Sequence, residues 1–322
     1  MGVGYSVDIK KVRGIQAAIN AAIFAGDKNA LVGHYAGIID VGGEKLAMHT
    51  DGVGTKVLVA QAVGKYDTVG IDAIAMNVND IICVGARPLA GVDYLAVAEE
   101  DEELITEVMK GLVAGAKESG IKIVGGETAV MKDVIKGGER PFDLAFTVIG
   151  KVEKFTTGDA IKKGDVLIGL ESSGLHSNGY SLARKVLDVD RWGMEMLTPT
   201  KIYVKPVMEM LGCCEVHGLA HITGGAFSKL MRLNRKYGFL IDEPMKPGKI
   251  FMELWEHVDS EMEMYRTFNM GMGMVVVVPG KDEGKILGIA KRNGVGAQAI
   301  GMVTDTPGVY LGKTRLDYGG VG

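Results

Sequence analysis

Apolar positions recur every three to four residues in some stretches of the chain and cluster in short β-prone runs in others, and this patterning predicts its elements. Ile15, Ala18, Ile19, Ala22 and Ile23 share one stripe of a helix over residues 10–25. A loop carrying Gly33, Gly37 and the Gly42-Gly43 pair follows, then a short strand over 45–50 that delivers Asp51. A second helix starts at Asp67 or Thr68 and runs to about Val84, with Ile74, Ile81 and Val84 on its apolar face. Asn77 and Asp80 are three residues apart on it and so project together, and Gly85 ends it. Residues 91–97 read as a strand. Asp101 opens an amphipathic helix whose Glu102 and Glu103 suit the positive end of the dipole. Leu104, Val108, Leu112 and Ala116 follow at four-residue steps, and Gly120 stops it. Residues 121–124 and 142–151 are strands, so the first half reads as a strand set with helices on one side.

A polar stretch at 151–164 places a domain boundary, giving domains over 1–155 and 156–322. In the second, a strand at 166–170 leads through the loop 171–179 into a helix at 180–187. Pro206 suits the first position of a helix ending at Leu211. Residues 216–222 run into Thr223-Gly224-Gly225 and a helix through Leu233, and strands at 274–278 and 298–303 flank a helix at 283–292. The fold class is α/β, mixed, in two domains.

Composition narrows the function. A chain of 322 residues exceeds one ordinary core. Its 47 glycines are about twice the average share and sit in pairs and turns, as close backbone approaches require. A net charge of −4 with no basic run longer than two residues argues against nucleic acid. No apolar stretch reaches the ~18–20 residues that span a bilayer. The first residues lack a basic-then-apolar secretory signal, and Cys83, Cys213 and Cys214 suit a reducing, cytoplasmic setting.

The candidate chemistry lies among the glycines. His49-Thr-Asp-Gly-Val-Gly-Thr-Lys56 sets Asp51 in a glycine turn with Gly52 and Gly54, followed by Thr55 and Lys56. Asn77-Val-Asn-Asp80 puts acid on an otherwise apolar helix, and Gly125-Gly126-Glu127 follows a strand. Asp51, Asp80 and Glu127 are hard oxygen donors of the kind that hold Mg²⁺ against a polyphosphate; singly they also suit a turn, an exposed helix face and a helix cap. Lys56 suits a phosphate contact or a solvated helix start. The loop Ser172-Ser173-Gly174-Leu175-His176-Ser177-Asn178-Gly179 joins a strand to a helix and suits a substrate phosphate, or simply a cap, with His176 able to add charge or move a proton. His221-Ile-Thr-Gly224-Gly225 is a second glycine turn fit for an anion, although His221 alone reads as a core residue.

Together these blocks resemble the aminoimidazole ribonucleotide synthetase (phosphoribosylformylglycinamidine cyclo-ligase) family. The matching text includes Thr50-Asp-Gly-Val-Gly-Thr-Lys56, Gly70-Ile-Asp72, Asn77-Val-Asn-Asp-Ile81, Gly125-Gly-Glu-Thr-Ala129, His176-Ser-Asn-Gly-Tyr-Ser-Leu182, Ile202-Tyr-Val-Lys-Pro206, His221-Ile-Thr-Gly-Gly225 and Arg266-Thr-Phe-Asn-Met-Gly271. The resemblance implies ATP-dependent closure of the imidazole ring of formylglycinamidine ribonucleotide, with ADP and phosphate released. It implies two α/β domains and a homodimer whose N-terminal strands form a shared intersubunit β-barrel. It also implies Mg²⁺ on Asp51, Asp80 and Glu127. ATP or its phosphates would lie on Asp51, Gly52, Gly54, Thr55, Lys56, Asn77, Gly125 and Gly126. The substrate phosphate would lie on Ser173, Gly174, His176, Ser177, Asn178, Gly179, Gly224 and Gly225, with Lys56 and His176 as the catalytic pair. The opening Tyr5-Ser-Val-Asp8 is shorter than the family's usual segment, and Val130-Met-Lys132 replaces its Glu-Met-Pro. A non-enzymatic nucleotide-binding regulator is the competing class, and the retained acids argue against it.

Overall fold

The computed structural model describes residues 9–26 and 34–317; Tyr5–Asp8 and Gly33 lie outside them. Helix α1 (Ile9–Gly26) precedes strands β1 (Gly37–Val41) and β2 (Glu44–Gly52), and helices α2 (Val57–Val63) and α3 (Val69–Ile82) follow. Strand β3 (Ala86–Val97), helix α4 (Glu102–Ser119) and strands β4 (Lys122–Val130) and β5 (Phe142–Val152) complete the first unit. Its strands form one sheet in the order β1-β2-β5-β3-β4, antiparallel throughout except for β3 with β4. Pro88 is accommodated inside β3 because a bulge between Pro88 and Ala90 interrupts the ladder where its missing N–H would be felt.

The second unit holds β6 (Val166–Glu171), α5 (Tyr180–Val186), α6 (Val189–Met196), α7 (Val204–Cys213), β7 (Gly218–His221) and β8 (Gly238–Ile241). It continues with α8 (Lys249–Trp255), α9 (Glu261–Thr267), β9 (Met272–Val278), α10 (Glu283–Arg292), β10 (Ala297–Thr304), β11 (Gly308–Leu311) and β12 (Thr314–Arg315). Seven strands pair in the order β12-β11-β8-β10-β6-β9-β7. Strand β9 is buried at every position, which explains its unbroken apolar run.

Asp101 caps α4 as its sequence predicts, accepting from the Leu104 amide at 3.0 Å. Two local expectations are corrected. Residues 37–41, read as loop, are the exposed edge strand β1. Pro206 is the third residue of α7, not the first. The helix expected after Gly225 is present as the 3₁₀ helix Ala226–Arg232.

Helix α3 decides where the site forms. One side packs on the first sheet, another on α4, and a third on α7 and β7 of the second unit, so nearly every position is buried. Asp72, Asn77, Asn79 and Asp80 are therefore buried polar groups that must find partners. Among the described residues no helix covers the other face of the first sheet, which exposes Ile39, Val41, Met48, Val92 and Tyr94.

Candidate active site

Each polar residue of α3 recruits partners from a different direction. Asp72 faces Lys56, whose Nζ lies 3.0 Å from Oδ1 and 2.8 Å from Oδ2. The Thr200 amide and hydroxyl donate to the same carboxylate at 2.8 and 2.6 Å, and the Ser177 hydroxyl at 3.1 Å. Asn79 donates to the Lys201 carbonyl at 2.8 Å and accepts from the Tyr203 amide at 2.9 Å. These bonds fasten the first unit to the segment 198–203 of the second.

Asp80 forms the centre of the third cluster. Its Oδ1 accepts from His221 Nδ1 at 2.7 Å and its Oδ2 lies 3.4 Å from His49 Nε2. Asn79 Nδ2 approaches His221 Nε2 at 3.4 Å, so Nε2 is the lone-pair nitrogen and Nδ1 carries the proton toward Asp80. His49 Nδ1 meets Asn77 Oδ1 at 2.9 Å, while the Asn77 amide donates to the Asp51 and Ala73 carbonyls at 3.1 and 2.8 Å. Burial alone would raise the Asp80 pKa. The His221 hydrogen bond and the charges of Lys229, His221 and His49 outweigh it and hold the carboxyl at about 2. Asp51 sits beside this cluster at the end of β2. Its pKa is raised, first by the protein packed around its carboxyl and then by Asp80, with His49 and Lys229 opposing.

The candidate residues do not all converge. Asp51, Gly52, Asn77 and Asp80 come together at the end of β2 and on α3, with Gly54 and Thr55 exposed in the following 3₁₀ turn. Glu127 does not join them. It pairs with Tyr94, whereas Asp51 lies in the row Asp51–Phe146–Asp93–Gly126, so the two acids point to opposite sheet faces. Strands β2 and β4 are also three ladder spacings apart, about 14 Å, too far for one ion. Among the described residues no three His, Cys, Asp or Glu side chains are arranged to hold a metal. Of the three acids expected to share one ion, Asp51 and Asp80 are neighbours and Glu127 is apart from both. Gly125 and Gly126 lie on β4 with Glu127, where Gly126 leaves room for Asp93; a Cβ there would meet Asp93 Oδ1 at 2.3 Å.

Lys56 and His176 also differ from expectation. Lys56 is fully enclosed, and besides Asp72 its ammonium donates to the carbonyls of His176 and Thr198 at 3.0 and 2.8 Å. With its donors engaged it ties the two units together and does not face a phosphate. His176 is equally enclosed. Its Nε2 accepts from the Ser173 and Lys201 amides at 3.2 and 3.4 Å, and Nδ1 has no partner. Burial, then the charges of His221, Lys56 and Lys201, push its pKa well below the ordinary value, so the ring is neutral and adds no charge to an anion site. A glycine is needed opposite it: a Cβ on Gly273 would meet Tyr203 Oη at 2.1 Å and His176 Cε1 at 2.4 Å.

The loop hydroxyls are turned inward as well. Ser173 Oγ donates to the Pro199 carbonyl at 2.5 Å and Ser177 Oγ to Asp72. Gly174 accepts from Ser172 Oγ and Asn269 Nδ2 through its carbonyl, and Gly179 starts α5. Asn178 lies against Gly224, with its Nδ2 buried and unpartnered.

Acids and a histidine of the first unit thus face His221 and Lys229 of the second. Family models described as AIR synthase related protein match residues 33–152 (N-terminal domain) and 162–313 (C-terminal domain). A curated phosphoribosylformylglycinamidine cyclo-ligase of Pyrococcus furiosus is 51% identical over 293 residues, covering 87% of this chain and 85% of its own length. The chain belongs to the phosphoribosylformylglycinamidine cyclo-ligase family. It is accordingly an enzyme of the ligase class. The namesake of Methanocaldococcus jannaschii is 52% identical over 308 residues, covering 88% of this chain and 87% of its own. Among solved structures, a HypE–HypF complex matches with a TM-score of 0.69 at 22% identity, covering 91% of this chain and 95% of that one. A thiamine monophosphate kinase of Aquifex aeolicus matches at 0.67 and 16%, covering 97% and 100%. At such identities these show a shared fold and nothing more.

Sequence reasoning passed over His49 and Lys229 and read His221 as core. The signal was available in part: Lys229 follows the Thr223-Gly-Gly225 turn by four residues, where a side chain can fold back over it.

Proposed function

We propose that this enzyme closes the imidazole ring of formylglycinamidine ribonucleotide at the expense of ATP, giving aminoimidazole ribonucleotide, ADP and phosphate. The observation that carries the reading is the meeting of Asp51 and Asp80 with His221 and Lys229 where the two units join. A solved protein of the same fold is described as complexed with AMPPCP and TMP, which supports a nucleotide as ligand of this fold.

Mg²⁺ fits Asp51 and Asp80. Two neighbouring carboxylates, one of them raised in pKa partly by the other, are relieved by a dication, and both are hard oxygen donors. When bound, the ion neutralises polyphosphate charge. The substrate amide oxygen is a poor leaving group; transfer of the γ-phosphoryl group to it makes it a good one, and the neighbouring nitrogen then attacks as phosphate departs. The chain's part is positioning and electrostatics. His221 and His49 fix the Asp80 carboxylate, Asn77 fixes the β2 end that carries Asp51, and the Lys56–Asp72 tie holds the second unit over the first.

We further infer a homodimer formed through the uncovered apolar face of the first sheet, which is the kind of surface that marks an interface, and a cytoplasmic setting. Among the described residues no helix is long and apolar enough to cross a membrane.

The test is ADP release by the purified chain supplied with Mg-ATP and formylglycinamidine ribonucleotide, with thiamine phosphate and selenide as alternative acceptors. One ADP per aminoimidazole ribonucleotide is expected. ADP formed only with another acceptor, or none at all, overturns the reading.

A further inference from the structure

Lys56 is spent on Asp72 and two carbonyls, yet the proposed reaction handles a polyphosphate and a ribose phosphate, which call for a cation able to meet one. Lys229 is the side chain so placed. Its ammonium donates to Thr223 Oγ1 and, among the described residues, lies in no ion pair with a carboxylate. The ammonium rests 5.7 Å from the Tyr35 ring centroid, and the Arg232 guanidinium lies over the same ring at 5.6 Å, so a second positive charge stands nearby. Its charge is felt at both Asp51 and Asp80.

The groups around it are donors lacking acceptors. Asn178 Nδ2 is buried and unpartnered, with its amide packed on Gly224. The turn preceding Ala226 is closed by the Ala226 amide donating to the Thr223 carbonyl at 2.6 Å. Gly225 adopts φ 81°, which leaves the Gly224 and Gly225 amides without a backbone acceptor among the described residues. Gly224 is exposed and Gly225 half-exposed, so an anion arriving from solvent can reach their amides at the turn whose Thr223 holds the Lys229 ammonium.

We propose that Lys229, rather than Lys56, is the cation that receives a phosphate group at the Thr223–Gly225 turn. This deepens the cyclo-ligase reading and rests on it only for which molecule carries the phosphate: the ribose phosphate of the substrate or the γ-phosphate of ATP. Lys229 is a binding residue in either case.

Two measurements test it. In steady-state kinetics Lys229→Met should raise one KM by about tenfold or more, the loss of one charge-assisted contact, while Lys229→Arg stays within a few-fold of the parent. A rise for formylglycinamidine ribonucleotide assigns the ribose phosphate, and a rise for ATP assigns the γ-phosphate. In the parent protein, orthophosphate should slow acetylation of Lys229, followed by mass spectrometry, and leave half-exposed Lys65 unchanged. This second readout needs no variant to fold and no turnover, so it still reports on the phosphate site should the cyclo-ligase reading fail. Unchanged KM values in a folded Lys229→Met, or no protection of Lys229 by phosphate, overturn the proposal.

Discussion

The Lys56 ammonium lies 2.8 Å from Asp72 Oδ2, with neither side chain exposed to solvent. The pair joins a 3₁₀ turn to α3, and the same ammonium reaches across to carbonyls of the second unit. Lys56→Met should therefore act on stability. It strands a buried carboxylate, a change that costs about 3–5 kcal/mol, and adding Asp72→Asn should recover part of that loss. Denaturant melts check this. A Lys56→Met chain that melts like the parent while losing Mg-ATP affinity would contradict the structural role.

Asp80 predicts an acid-sensitive component of stability. Its folded pKa of about 2 lies below the ordinary 3.8 of an aspartate. The stabilisation is then fully present above about pH 4 and is lost as pH falls through 2, and it amounts to about 2 kcal/mol. Melts of Asp80→Asn and the parent, compared between pH 5 and 2, should converge at the acid end. The variant should also bind Mg-ATP more weakly at neutral pH, which calorimetry reads.

Asp51 behaves in the opposite sense. Its raised pKa means the charged form is penalised in the folded chain, so Asp51→Asn should melt no lower than the parent without ligand. Mg-nucleotide binding needs the carboxylate. Affinity should fall roughly tenfold or more in the variant, and in the parent it should weaken as acidification protonates Asp51. Equal affinities for the two proteins would remove Asp51 from the metal site.

Gly273→Ala should disturb the site from its second-unit side. The new Cβ would collide with Tyr203 and His176, and overpacking of this kind costs about 1–3 kcal/mol. A lower melting temperature with reduced turnover is expected, whereas Gly212→Ala, where a Cβ meets nothing within 4 Å, serves as the neutral control.

The uncovered sheet face carries a prediction about assembly. Met48→Glu with Val92→Glu places two charges among exposed apolar side chains on that face. Light scattering should report a shift from dimer to monomer. A parent that is already monomeric at micromolar concentration would remove the homodimer inference.

Local patterns in the sequence located α4, its Asp101 cap and the buried strand β9, because each rests on periodicity or a short-range hydrogen bond. Strand β1 escaped because glycines bracket it and its outward positions are apolar. Helix α2 escaped because Val57-Leu-Val-Ala-Gln-Ala-Val63 carries no polar face to set a period. At the site, the pairing of Asn77 with Asp80 was legible as helical spacing. The enclosure of Lys56 and His176 was not, since their partners lie up to 142 residues away and no local pattern encodes them. The separation of Glu127 from Asp51 depends on strand order and on which face each residue takes, neither of which a motif reveals.

The bonds from Asp72 and Asn79 to residues 198–203 have a thermodynamic consequence for ligand capture. Because folding itself joins the two units here, an arriving nucleotide need not spend interaction energy on bringing them together. Its affinity then reports the quality of its contacts, undiluted by the work of closing a jaw.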